Sequence, residues 1–511
     1  MNQLARKMRV TSNYSETQNG ALSYHSTGSV VIDQFGKVGS YLKRSFSDIS
    51  HDCDLLAQEN IEHAIRFAYY VRIISRISSD TKVQMNGPGL RNEFYGRMVW
   101  LSYNSPDIFI HNLDIVPVIG TWKDMVELFQ HVSPKCKDAV LQFFVVTMLD
   151  GEDDLMKKYL PQFRAMSKLN SDRAKARNLF AYKLMRRCDM DPKAWREYKT
   201  SGTAHVWQQL ISRGLEKQIN FNLIPGIAMK NMVKSGWFTK HGLEKKFHEW
   251  LMSKPVVKYN GYAHDLYEMA FSGTPIQKMT ADKQFETLVV SAPKSRGNVM
   301  SAIDLSGSMY WDHGMKVKPA YIAQSLAYFF DRINGDNAFK GMYIEFASNC
   351  QLCTFEGKTF STAIAGIRRR QAKVGSTNFR SVIDMLIDYR KANPSIPVTD
   401  YPQYILIVSD LQFDPVYDEG HRVINSKYAE DELAKVGLGD ISFIWWQVNA
   451  KYGKDVPATL ESGKNYFFSG FDGSIINFLL GLDYTEKAKP EMQDVIYSAL
   501  YQDILSHLRV S

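Results

Sequence analysis

Asp304-Leu305-Ser306-Gly307-Ser308 is a D-x-S-x-S loop that follows the apolar run Val299-Met300-Ser301-Ala302-Ile303. An acid and two hydroxyls at a strand end set three hard oxygens on one turn, the donor type that suits Mg²⁺. A second apolar run, Tyr404-Ile405-Leu406-Ile407-Val408, ends in Ser409-Asp410, and Gly375-Ser376-Thr377-Asn378-Phe379 offers a third hydroxyl. Asp304 and Asp410 each stand at the carboxyl end of an apolar run, as a shared metal site requires. Strand patterns at 298–304, 341–347, 403–410 and 441–448 alternate with helical patterns at 317–333, 378–391, 426–435 and 475–480. This alternation predicts a doubly wound parallel sheet, whose ligands gather at the carboxyl ends of the strands.

Ser306 and Ser308 lie two apart in the loop, so both hydroxyls can turn to one cation, and Gly307 permits a sharp backbone path. Asp304 can bind directly or through water, Thr377 adds a hydroxyl and Asp410 a second carboxylate. A plainer reading is that Asp304 only caps the following turn. The three pieces, in this order, resemble the metal-ion-dependent adhesion site of von Willebrand A domains. The resemblance implies that the remaining coordination position takes a carboxylate from a protein partner. No histidine lies in the motif loops, His313 nearby stands alone, and no nucleophile is paired with a base, so a binding site rather than an enzyme is expected.

Several other patterns carry less. Gly357-Lys358-Thr359 mimics the end of a phosphate loop, but Leu352 occupies the required glycine position. Cys350 and Cys353 form a C-x-x-C without a second pair, on a segment resembling a strand edge, and read as two thiols. Arg368-Arg369-Arg370 ends a helix, where basic residues complement the dipole. Five cysteines in 511 residues, with no apolar leader at the N-terminus, argue for a reducing, cytoplasmic setting. No apolar run reaches the ~18 residues of a membrane span.

Between 157 and 258 there are 22 Lys and Arg against 7 Asp and Glu, which leaves the rest of the chain net acidic although the total is +8. Such asymmetry favours an anionic partner, nucleic acid before others, with a merely solvated helical surface as the alternative. Within this stretch Arg173 and Arg177, and Lys183 and Arg187, are four apart on a helical pattern, beside Arg186. Trp195, Trp207, Trp237 and Phe238 are candidates to stack unpaired bases, with core packing the default.

The chain divides by pattern into an irregular arm at 1–45, with one short strand near Val30–Ile32, a helical-repeat domain at 46–290, a sheet domain at 291–485 and a C-terminal helix at 486–511. One amphipathic helix runs from about Gln58 through Ile74 and Ile77, and further helical periods fall at 90–103, 107–131, 137–149, 152–188, 204–217 and 226–252, suggesting stacked pairs of the HEAT-like kind. Residues 253–297 read as a connector.

A basic helical region followed by this metal loop resembles the Ro autoantigen (TROVE-domain) ribonucleoprotein group. The chain is more closely similar to a Ro-related family of unknown function. The shared segments include Asn19-Gly20-Ala21-Leu22-Ser23-Tyr24, Gly87 to Phe94, Gly120-Thr121-Trp122-Lys123-Asp124, Ile224 to Met229, Lys240 to Phe247, Ser409 to Asp414 and Ser469-Gly470-Phe471. Asn378 and Gln412 depart from the acids many relatives carry there. The resemblance implies an α + α/β fold: an N-terminal helical HEAT-like (TROVE-like) domain, then a doubly wound parallel-sheet von Willebrand A domain. It also implies non-enzymatic binding of single-stranded or small structured RNA, through Lys123, Arg173, Arg177, Lys183, Arg186, Arg187, Lys240, His241 and Lys245. The divalent cation, Mg²⁺ in this reading, would sit on Asp304, Ser306, Ser308, Thr377 and Asp410. A metal-dependent protein scaffold, or a structural part of a virus particle, is the alternative.

Overall fold

The computed structural model describes residues 13–41, 44–77, 84–150, 154–201, 206–212, 214–292, 298–311, 317–335, 338–370, 375–449, 455–480 and 489–510. The fold mixes helices with one large, mostly parallel sheet. The chain forms two compact units: Met1–Lys43 with Pro225–Ala499, and Arg44–Ile224 with Leu500–Ser511.

The sheet of the first unit contains β1 (Val299–Asp304), β2 (Met342–Phe346), β3 (Cys350–Thr354), β4 (Tyr404–Ser409), β5 (Ser442–Gln447) and β6 (Asn465–Ser469). Their order is β6-β5-β4-β1-β2-β3. All neighbours are parallel except β2 and β3, which form an antiparallel hairpin at one edge. Every residue of β1, β4, β5 and β6 is buried, so both faces of the sheet are covered, as near-continuous apolar strands require. The chain leaves β1 toward one edge and β4 toward the other. The crevice between these two central strands is the switch point where ligands of such sheets bind. The four strands expected from sequence lie within a residue or so of β1, β2, β4 and β5, while β6 went unread.

The N-terminal segment is more ordered than its composition suggests. Tyr14–Glu16 pairs antiparallel with Leu22–Tyr24, and Val30–Lys37 is a helix rather than the expected strand. The β-branched Val30-Val31-Ile32 favours a strand, but Asp33 in the first turn overrides that preference. It accepts from Thr27 N (2.8 Å) and Thr27 Oγ1 (2.7 Å) and so anchors the helix start. The helix then lies against β6. A Cβ on Gly39 would fall 2.4 Å from the Ser469 carbonyl oxygen, so only glycine permits this approach.

Residues 253–297, expected to be a connector, contain a 17-residue helix, Pro275–Ser291. Its start was legible: Thr274 and Gln277 form a capping box around Pro275. This helix belongs to the sheet unit because Phe285 stacks on Phe360 (4.3 Å) and Asp282 accepts from Ser361 N (2.7 Å) and Oγ (2.8 Å). Tyr267 likewise stacks on Tyr321 at 4.2 Å. Residues 225–292 therefore pack with the sheet, whereas their helical periodicity had grouped them with the helices before them.

The second unit is built on Phe46–Glu59, Ile61–Tyr70, Arg91–Asn104, Pro134–Asp150 and Asp172–Arg187, with shorter helices between. The helix expected to run through Ile77 stops at Tyr70, and Ile74–Ile77 pairs antiparallel with Gln84–Pro88. The run Val71-Arg72-Ile73-Ile74 is rich in β-branched residues, which suit a strand. The expected helix at 107–131 is three pieces, Pro106–His111, Ile115–Ile119 and Trp122–Leu128. The C-terminal residues return here, where Asn112 and Arg509 exchange two hydrogen bonds of 2.8 and 2.9 Å.

This unit contains a buried ion pair, Arg72 with Asp124. Asp124 accepts from Arg72 Nη2 (2.7 Å) and Nε (3.1 Å), Tyr95 Oη (2.7 Å), Thr121 N (2.8 Å) and Thr121 Oγ1 (2.9 Å). Burial alone would raise this carboxyl, but Arg72 and the hydroxyl donors outweigh it and hold it below its ordinary range. Asp124→Ala would strand the Arg72 charge and is expected to destabilise this unit by about 3–5 kcal/mol in urea unfolding. A loss under about 1 kcal/mol would show that Arg72 finds other partners.

Candidate metal centre

Strand β1 delivers Asp304 to the carboxyl edge of the sheet, and β4 delivers Ser409-Asp410 beside it, because Ile303 is in register with Val408. Ser409 Oγ donates to Asp304 Oδ2 at 2.5 Å, and Ser306 N donates to Asp304 Oδ1 at 2.8 Å. Ser306 Oγ and Ser308 Oγ are 3.2 Å apart. The third loop joins through backbone contacts: Gly307 N donates to Gly375 O (3.1 Å) and Asp414 N to Thr377 O (2.9 Å). All five residues expected at the metal thus come to one end of the sheet. Asp304, Ser306, Thr377 and Asp410 are buried there, and Ser308 is half-buried.

The sharp turn expected at Gly307 is placed differently. Ser306 is extended and Gly307–Tyr310 is a short 3₁₀ turn, while Gly307 is not among the left-handed glycines. The left-handed residue of the site is Leu411, at φ +62°. It turns the chain so that its own N–H meets Ser409 Oγ (2.9 Å) and Gln412 N meets Asp410 Oδ1 (3.2 Å). A leucine in this conformation carries strain of order 1–3 kcal/mol, which only a tightly held loop sustains.

Two acids share this buried edge of the sheet. Burial pushes the Asp304 carboxyl up to about 7, and the charge of Asp410 adds to the rise, while hydrogen bonds from Ser409 and Ser306 oppose it. Two carboxylates brought together out of water raise each other's proton affinity unless a cation or proton offsets them. The donor set, two carboxylates with serine and threonine hydroxyls, fits a hard divalent ion. Among the described residues no group of three or more His, Cys, Asp or Glu gathers as ligands, so any cation here would rely on the hydroxyls.

The departures from the related pattern now have places. Gln412 Oε1 accepts from Gln18 N at 2.8 Å, and Asn19 Nδ2 donates to Gln412 O at 2.7 Å. Thr17 Oγ1 donates to Phe413 O at 2.8 Å. The N-terminal ribbon therefore braces the loop that carries Asp410, which composition did not reveal. Asn378 Nδ2 donates to Ser348 O (3.1 Å) and its Oδ1 accepts from Ser381 N (3.2 Å), so it steadies its loop. Trp311 also escaped the sequence reading: it ends the metal-loop turn with 69% of its surface exposed. His313 lies outside the described residues.

The other motifs resolve into packing. Thr359 caps Phe360–Arg369 rather than cradling a phosphate. Cys350 and Cys353 are free thiols. Arg368 lies over the rings of Phe271 (4.9 Å) and Tyr321 (5.2 Å), and Arg369 and Arg370 pair with Glu356, so side-chain partners, more than the helix dipole, account for them.

The nine basic candidates divide between the units. In the second unit Arg173 binds Glu127 through two hydrogen bonds (2.8 and 3.0 Å), and Arg177 reaches the same carboxylate at 3.1 Å, so the pair shares a face as expected. Lys123 stands half-buried beside them. Burial lowers its ammonium, and Arg91 and Arg173 lower it further against the opposing Glu127. Lys183 lies 5.8 Å from the Phe129 ring, Arg186 is exposed and Arg187 pairs with Asp138. Lys240, His241 and Lys245 are exposed in the first unit, with His241 stacked on Trp237 at 4.1 Å. Of the aromatic candidates, Trp195 and Phe238 are buried and unavailable for bases. Trp195 Nε1 donates to Pro161 O at 3.0 Å, and Phe238 stacks on Phe247. Trp207 and Trp237 are half-buried.

The pattern of a domain of unknown function, DUF7788, matches residues 298–501, a span that contains all five candidate ligands. Over nearly the whole chain the protein is similar to an uncharacterized protein of Acanthamoeba polyphaga mimivirus, at 20% identity, with 92% of this chain and 85% of the relative covered.

The raised Asp304 carboxyl gives a signed prediction. The folded state holds this proton more tightly than the unfolded chain, so the stabilisation it gives is present below the unfolded value and is lost as pH rises through about 7. In the metal-free protein Asp304→Asn should raise the melting temperature at mildly alkaline pH and leave it nearly unchanged in mild acid. Added Mg²⁺ should raise the wild-type midpoint at alkaline pH more than in acid and leave Asp304→Asn unmoved. Equal Mg²⁺ shifts in both proteins would remove the site.

Proposed function

We propose that the protein is a non-enzymatic, Ro-like RNA-binding protein. In this reading the sheet unit is a von Willebrand A domain whose metal-ion-dependent adhesion site holds a divalent cation, Mg²⁺ by donor type. Asp304, Ser306, Ser308, Thr377 and Asp410 would hold it, and the cation would supply an open position for a carboxylate from a protein partner. The observation that carries the metal half is the burial of Asp304 with Asp410 at the carboxyl ends of β1 and β4, ringed by hydroxyls. Exposed Trp311, at the end of the same turn, supplies the kind of aromatic anchor that dominates protein interfaces.

The RNA half rests on charge. The basic stretch falls in a region read as HEAT-like and TROVE-like, and Arg186 and Lys183 are exposed on one of its helices. Phosphate contacts of this kind carry no sequence information, so broad RNA binding is expected.

Charge reversal at Arg186 and Arg187 together should weaken binding of a single-stranded RNA about tenfold or more in gel shifts, and raising salt should weaken the wild type steeply. Affinities insensitive to both would rule out the RNA reading. Asp304→Ala or chelation should abolish capture of an acidic partner protein and spare RNA, whereas a pull-down that survives chelation would refute the cation-bridged contact. A specific observation favours the scaffold alternative as well: Trp311 stands at the metal loop rather than on the basic helices. If chelation abolishes partner capture while no RNA binds, the scaffold is the better description.

A further inference from the structure

The second unit contains a cavity of about 390 Å³ whose described lining includes Lys158, Arg164, Lys168, Arg177 and Lys199. No described lining residue is acidic. Tyr159, Leu160, Pro161 and Leu169 add an apolar wall. The cavity forms where the turn after Asp154–Tyr159 faces Asp172–Arg187 and the end of Pro192–Thr200. Its volume lies in the range of small-ligand sites, which run from roughly 300 to 1,000 Å³.

We propose that this cavity binds the phosphoryl group of a nucleotide, with the cations on the phosphate and the sugar or base against the apolar wall. Three observations carry it. First, five cations line the cavity, Arg177 tied to Glu127 (3.1 Å) and the other four with no acid among the described lining, a crowding of like charge that a bound anion would relieve. Second, the backbone at Arg164 is held by the bond from its N–H to Asn178 Oδ1 (2.8 Å), and its exposed guanidinium, turned onto Gln162 Oε1 (2.7 and 3.2 Å), can exchange that neutral acceptor for phosphate oxygens. Third, the Lys199 ammonium is lowered by burial and then by Arg177 and Arg164, and that of Lys158 by burial, the stress that a dianion would relieve. Arg177 also bonds Glu127, so one edge of the cavity is continuous with the candidate RNA surface.

The site rests on the RNA reading only for the source of its phosphate, which is either a free nucleotide or the phosphorylated end of an RNA strand. Calorimetry with uridine 5′-monophosphate, and fluorescence anisotropy with a short oligouridylate bearing either a 5′-phosphate or a 5′-hydroxyl, separates the two. Each is measured on the full chain and on Arg164→Glu/Lys199→Glu, with Lys199→Gln as a second variant should the double change impair folding. Binding of the mononucleotide that falls tenfold or more in either variant supports the site with a free nucleotide as source. A tenfold preference for the phosphorylated strand, lost in the variants, supports it with an RNA end as source. Equal binding of both strands together with no mononucleotide binding overturns it, as does mononucleotide binding that the variants leave unchanged. If no strand binds yet the mononucleotide binds through Lys199, the RNA reading fails and the pocket stands. If strands bind through Arg186 and Arg187 with no preference for the phosphate and the mononucleotide does not bind, the pocket fails and the RNA reading stands.

Discussion

Two carboxylates buried side by side at the ends of adjacent parallel strands repel each other, and much of the first unit is arranged around them. The strand order β6-β5-β4-β1-β2-β3 sets β1 against β4, so Asp304 and Ser409-Asp410 cannot avoid one another. Both are buried away from bulk solvent, and the resulting cost shows in an Asp304 carboxyl pushed up to about 7. The fold meets that cost with oriented donors: Ser409 Oγ and Ser306 N on Asp304, and Gln412 N on Asp410, with the left-handed Leu411 between Asp410 and Gln412 giving its own N–H to Ser409 Oγ. Donors of this kind lessen the repulsion without cancelling it, so the Asp304 carboxyl stays raised.

The N-terminal ribbon extends the same logic. Thr17, Gln18 and Asn19 bind the backbone and side chain of residues 412 and 413 across almost 400 positions of sequence. Gly36 and Gly39 let the following helix close on β6. A loop holding a strained residue beside two acids needs support from outside itself, and the start of the chain provides it. A segment rich in Ser and Gly thus has a definite structural task, because its polar groups find partners in a loop far away in sequence.

The basic side chains of the second unit are not a uniform surface. The buried carboxylates of Glu127 and Asp124 pair with Arg173, Arg177 and Arg72, which removes part of the counted charge from any ligand. What remains divides into an outward face around Arg186 and a concave cluster around Lys199. The first suits an extended backbone of phosphates and the second a single phosphoryl group, and a linear charge count cannot tell them apart.

Local sequence determined those features whose cause lies within a few residues. The apolar runs before Asp304 and Asp410 predict strands because burial on both faces leaves no polar alternation, and the capping box at Thr274 marks a helix start whether or not it is noticed. The five candidate ligands were legible for the same reason: each follows a strand or occupies a glycine-flanked turn. Tertiary structure alone decided the rest. It laid Val30–Lys37 against β6 through Gly36 and Gly39, drew 225–292 onto the sheet through Phe285 and Asp282, and buried Trp195 and Phe238 beyond the reach of a base. It also gathered Lys158, Arg164 and Lys199 around one cavity. Periodicity reports which face of an element is apolar, but not which neighbour covers that face, since the neighbour is chosen by contacts between residues far apart in the chain.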